Sequence, residues 1–141
     1  MTINEFMTQD HRACDEQFAE AENAVDAGNF AAGKIIFGEF VAHMLNHFDK
    51  EESVMFYDYN NGAASGCNPT SVMVMEHNQM RDIFTKMAEA LEGENRDAFL
   101  GLSENLLFVM QQHNMKEEQM MYNLADNALD SADIIERMKN V

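Results

Sequence analysis

Two stretches of this chain repeat one spacing, His47 with Glu51 and His113 with Glu117, an imidazole followed four positions later by a carboxylate. On an α-helix such positions lie about 40° apart around the axis and one turn apart along it, so each pair projects its donors together. Each pair is therefore a ready chelating arm. His11 and His77, carried by two other helices, reach the same interior level if the apolar faces turn inward, which gives four imidazoles and two carboxylates. Helical bundles hold dinuclear metal centres by this logic, with one ligand from each of two helices and a spaced pair from each of the others. If Glu51 and Glu117 both bridge, each metal receives two nitrogens and two oxygens, leaving room for an oxo or hydroxo bridge and an open position. Mixed imidazole and carboxylate suits iron first and manganese next; zinc stays an alternative, although closed zinc sites recruit cysteine more often.

A lone helical histidine is usually a surface or satisfied core residue, and a KEE run is usually a solvated face. What lifts these residues above that reading is register. At a constant offset of 66 residues His11 maps on His77, His47 on His113, Phe18 on Phe84, Asn29 on Asn95, Met44 on Met110 and Lys50 on Lys116. HFDKEESVM at 47–55 faces HNMKEEQMM at 113–121 without a gap. The chain is thus two helical hairpins of one design, and such a duplication predicts an all-α, up-down-up-down four-helix bundle about an approximate two-fold axis, with a short C-terminal helix.

The elements that must carry these residues follow from punctuation. A first helix is expected from near Thr8 to Ala27, stopped by Gly28, with Asn29 capping a second helix that runs to about Tyr59. NNGAASGCNP, at 60–69, reads as the one substantial loop. Thr70 or Ser71 is expected to cap a third helix ending near Gly93, Asn95 a fourth reaching about Asp130, and Ser131 to begin the tail helix.

The chain of 141 residues is the size of one domain, and residues 1–141 are read as one. Nine basic against 25 acidic residues leave a formal charge of -16, which repels phosphate backbones and anionic lipid heads, so neither nucleic acid nor membrane is an expected partner. A hydrophobic share of 46% with 13 methionines fits a deformable helical core. Cys14 and Cys67 match no disulfide framework or CxxC motif, and the N-terminal stretch has no signal-peptide pattern, so a reducing, cytoplasmic setting is expected.

Other residues carry weaker signals. His43 lies one turn before His47 but maps on Val109; it either adds a nitrogen to one metal or hydrogen-bonds beside the site. Glu52 and Glu118 repeat, yet sit about 100° further around the helix, which suits the surface or a partner of the ligands. Cys14, three residues after His11, has either a redox role or, the favoured reading, that of a small buried residue; Lys50 and Lys116 read as outer ion-pairing groups, and Tyr57 and Tyr122 either donate a phenol to an oxo species or, the favoured reading, pack at the end of the bundle.

Taken together, DHR near the start, HFDKEE in the second helix, MEHNQMR in the third and HNMKEE in the fourth resemble the HHE cation-binding branch of the hemerythrin family. The resemblance runs from about residue 8 to residue 126 and implies a non-haem di-iron centre, with His11, His47, Glu51, His77, His113 and Glu117 as ligands. Oxygen-carrying hemerythrins have an HxxxH pair on the third helix, where this chain has Met73, and an aspartate five residues after the last histidine, where it has Glu118. The set of four histidines and two glutamates is closer to the di-iron proteins that repair iron-sulfur clusters under stress. The implied function is binding of, or reaction with, O2, NO or peroxide at an open iron position, in sensing, scavenging or stress-linked iron handling. The alternative is a non-catalytic metal-binding, iron-sensing or delivery module acting through a protein partner.

Overall fold

The computed structural model describes residues 1–62 and 68–141, all helical apart from the joints and ends. Helix α1 spans Ile3–Asp26 and α2 spans Phe30–Lys50. A π-helical turn, Glu51–Met55, joins α2 without a break to α3, Phe56–Gly62. The second half repeats the plan with α4 at Pro69–Glu92, α5 at Arg96–Lys116, a π turn at Glu117–Met121 and α6 at Tyr122–Ala128, before α7 at Ser131–Lys139. The two continuous π-containing rods and the helices α1 and α4 form the expected four-helix bundle.

Helix α1 begins five residues earlier than expected near Thr8, because Thr2 and Glu5 make a reciprocal capping box at its start. Asp126 adds carboxylate contacts to the free amides of Ile3 and Asn4, at 2.7 and 3.1 Å, tying α6 to that end. Ile3 and Met7 thereby extend the buried stripe that continues through His11, Cys14, Phe18, Ala21 and Val25. Asn68, rather than Thr70 or Ser71, caps α4, since Pro69 occupies the first helical position where its missing N–H costs nothing. Residues 60–62 of the expected loop extend α3, and the middle of that loop, with Cys67, lies outside the described residues. Asp130 caps the tail helix.

The joints within the two hairpins share one design. Gly28 takes a left-handed φ of 79° and its counterpart Glu94 a φ of 50°. In both joints the next asparagine donates its N–H back across the helix end, Asn29 to Ala24 and Asn95 to Ala90. Only the first joint places a residue there that has no Cβ to strain.

Two apolar clusters divide the interior. One packs Phe18, Phe37, Phe40, Phe84, Phe99 and Leu106 toward the hairpin joints. The other packs Ile3, Met7, Met55, Phe56, Met73 and Met121 toward the opposite end, where α7 lays down Ile134, Ile135 and Met138. The paired methionines Met7 and Met73, Met44 and Met110, and Met55 and Met121 are all core residues. Between the clusters lie the charged side chains. Among the described residues no helix is long and apolar enough to cross a membrane.

Candidate metal centre

A dry interior should exclude ionisable groups unless they are paired, yet His11, His47, Glu51, His77, His113 and Glu117 are all buried between the two apolar clusters. The structure brings all six together. His11, His47, Glu51 and Glu117 form one set of converging donor atoms, and Glu51, His77, His113 and Glu117 form another, each within 4.8 Å. The two carboxylates belong to both sets. Glu51 sends Oε1 to within 3.0 Å of His77 Nε2 and Oε2 to within 3.5 Å of His47 Nε2. Glu117 Oε1 lies 3.1 Å from both His11 Nε2 and His113 Nε2. Each carboxylate therefore spans the two halves of the site.

All four imidazoles are oriented the same way, with Nε2 inward and Nδ1 held by a carboxylate behind it. His47 Nδ1 lies 2.7 Å from Asp10 and His113 Nδ1 lies 3.0 Å from Glu76. His11 Nδ1 lies 2.8 Å from Glu118 and His77 Nδ1 lies 2.5 Å from Glu52. A carboxylate on Nδ1 favours the tautomer that leaves the Nε2 lone pair free for a cation and fixes the ring plane. Glu52 and Glu118 are thus partners of the histidines, one of the two roles their register allowed. Asp10 and Glu76 are findings of the structure. They too are related by the 66-residue offset, each just before a repeated histidine, and that repeated acidic residue was the available signal.

The donor chemistry fits a cation. Among the described residues His77 Nε2, His113 Nε2, Glu51 Oε1 and Glu117 Oε2 are all buried without a hydrogen-bond partner, although His77 Nε2 and Glu51 Oε1 are only 3.0 Å apart. Such a contact without hydrogen-bonding alignment is what converging ligands make around a common centre. Within the chain itself, protonation of the imidazoles compensates the buried carboxylate charge. Burial opposes charging His47, but the Glu51 charge and the Asp10 hydrogen bond outweigh it and hold the ring at about 10. Burial likewise opposes protonation of His77 and His113, while glutamate partners raise them to about 11 and about 9. Burial would raise Glu117, but the charge of His113 and hydrogen bonds within the site keep it well below the usual carboxylate range.

The π turns set this geometry. In each, the amide five residues on donates to the glutamate carbonyl, Phe56 to Glu51 and Tyr122 to Glu117. In an α-helix a side chain five positions on would point about 140° away. The wider turn instead brings Tyr122 over the site, which decides against end packing, the favoured of its two expected roles. Its hydroxyl donates to Glu51 Oε2 at 2.6 Å and is fully buried. Burial and the charges of Glu117 and Glu51 hold the phenol protonated far beyond its ordinary range. Tyr57, by contrast, is exposed.

His43 does not reach the centre. Its Nε2 lies 2.6 Å from Asp10 and its Nδ1 2.7 Å from Gln17, so it steadies the carboxylate that holds His47. Lys116 does the same for Glu76 at 2.5 Å, whereas Lys50 lies over the Phe6 ring. Cys14 is buried, and burial with the nearby Asp10 and Asp15 charges raises its thiol far from thiolate formation.

No curated protein and no solved structure matches the chain. The family model of the hemerythrin HHE cation binding domain matches residues 2–125. With the family's helical bundle around two buried clusters of histidine and glutamate, the chain is a metal-binding protein and belongs to the hemerythrin HHE cation-binding family.

Proposed function

We propose that the centre holds two iron ions, with His11 and His47 ligating one, His77 and His113 the other, and Glu51 and Glu117 bridging both. The observation that carries this reading is the sharing of both buried carboxylates by two otherwise separate histidine pairs. Nitrogen and carboxylate donors in this proportion suit iron over zinc, and manganese next. Bound iron supplies electrons and Lewis acidity to a small molecule such as O2, NO or peroxide. The chain supplies the rest. Asp10, Glu52, Glu76 and Glu118 hold the imidazoles to fixed orientations, and the apolar layers on either side exclude bulk water. The biological role that fits is sensing, scavenging or stress-linked iron handling, iron-sulfur cluster repair included.

Anaerobic loading with ferrous ion, followed by metal analysis and the visible spectrum before and after oxygen is admitted, tests the proposal. About two irons per chain and a new charge-transfer band on oxygenation are expected. A reversible band favours binding or sensing; decay to a ferric state favours scavenging or repair. Chelator-reversible metal transfer without any reaction favours a delivery or sensing module. Failure to bind iron stoichiometrically overturns the di-iron reading.

A further inference from the structure

The two halves of the centre match at every ligand, and they differ at the residue that follows each π turn. That residue is Phe56 in the first half and Tyr122 in the second. Tyr122 Oη lies 2.6 Å from Glu51 Oε2, 3.0 Å from Glu117 Oε1, 3.0 Å from His11 Nε2 and 3.4 Å from His47 Nε2. Those are one donor from each member of a single cluster. A vertex of an octahedron has four neighbours, and with metal–ligand bonds of about 2.1 Å each neighbour is about 3 Å away. The phenol oxygen thus stands at ligand spacing from four donors at once.

Among the described residues the other half has no such oxygen. Phe56 lies against His77, with ring centroids 6.0 Å apart and planes 17° from parallel. Among the described residues the site's unpartnered donor atoms are the two Nε2 atoms of that half, on His77 and His113, and the carboxylate oxygens nearest His77, Glu51 Oε1 and Glu117 Oε2. Phe48, stacked on His77 at 4.1 Å, adds a second apolar ring there.

We propose that Tyr122 is a seventh protein ligand, binding through its phenolate oxygen the metal held by His11 and His47, so that the exchangeable position belongs to the metal held by His77 and His113. The inference rests on the di-iron reading above. As the metal–oxygen bond forms the phenol O–H bond breaks and its proton leaves to solvent; no electron moves. With a shared oxo or hydroxo bridge counted, the iron beside Tyr122 would have six donors and the other five, so that the second stays open to a small ligand beside Phe48 and Phe56.

The test is resonance Raman spectroscopy of the diferric protein, with excitation into its visible band. Tyrosinate ring modes are expected, shifting when the protein is grown with ring-deuterated tyrosine, a measurement that needs no variant. Tyr122→Phe should retain about two irons, lose those modes, and bind two azide ions where the wild type binds one. Phe56→Tyr should add tyrosinate intensity and block azide. Two bound irons without tyrosinate modes, or modes that persist in Tyr122→Phe, would overturn the ligand assignment and leave the di-iron reading standing. Absence of stoichiometric iron would overturn both.

Discussion

Asp10 stands behind His47 with its Oδ2 2.7 Å from the ring Nδ1, and the same aspartate reaches His43 through its other oxygen at 2.6 Å. One carboxylate thus fixes an inward-facing imidazole and is itself fixed from outside. The corresponding arrangement in the second half uses Glu76, with Lys116 in the place of His43. Burial opposes ionisation of Asp10, but its bonds to His47 and His43 hold its carboxyl well below the ordinary range.

Asp10→Asn keeps the shape of that group and removes its charge, so His47 loses the partner that selects its tautomer. Metal affinity should fall about 10–100-fold, the usual cost of losing an outer partner of a ligating histidine. Glu76→Gln should behave alike through His113. Competition against a chelator of known affinity reads both. Unchanged affinity in the two variants would show that these carboxylates do not tune the site.

Much of this was legible in the sequence because the duplication exposes it. Identical spacing of His47 with Glu51 and His113 with Glu117, set 66 residues apart, marks the ligand frame and the bundle together. What stayed hidden depended on departures from ideal helix. Tyr122 looks like packing if every residue turns by the α-helical angle, and only the π turn at Glu117–Met121 brings it inward. The start of α1 differs from the expected Thr8 for a simpler reason: the capping box of Thr2 and Glu5 lies more than one and a half turns earlier.

Glu94 sits in the left-handed region at φ 50°, where its counterpart is Gly28. A side chain in that conformation costs about 1–2 kcal/mol, and glycine returns part of this as chain entropy in the unfolded state. Glu94→Gly should therefore stabilise the protein by roughly 0.5–1 kcal/mol. Glu94 is exposed, so no core contact is lost. Urea unfolding measures the shift, and a loss of stability would show that the Glu94 side chain has favourable contacts that outweigh its strain.

Removing metal should cost stability because four imidazoles and two carboxylates are buried at one level of the bundle. A ligand present at a hundred times its dissociation constant adds about 2.7 kcal/mol to the folded state, and chelation withdraws that contribution. The apo protein should melt lower than the loaded one. His47→Ala combined with His113→Ala should abolish metal binding and erase the difference between treated and untreated samples. Equal melting with and without chelator in the wild type would mark the site as structurally idle.

Proton competition gives the site a defined pH response. In the metal-free fold His113, His47 and His77 hold protons up to about 9, about 10 and about 11, against an ordinary value of 6.5. These raised values stabilise the apo fold fully below pH 6.5, and that contribution is lost as pH rises through 9 to 11. Metal binding has the opposite slope, because each imidazole must give up its proton to ligate. Apparent affinity should therefore climb between pH 6.5 and 9, by about one decade per pH unit for each proton displaced. Titration calorimetry in buffers of differing ionisation enthalpy counts those protons. Loading at alkaline pH should then rescue the fold that loses stability without metal, and an affinity independent of pH across this window would show that metal displaces no protons from the histidines.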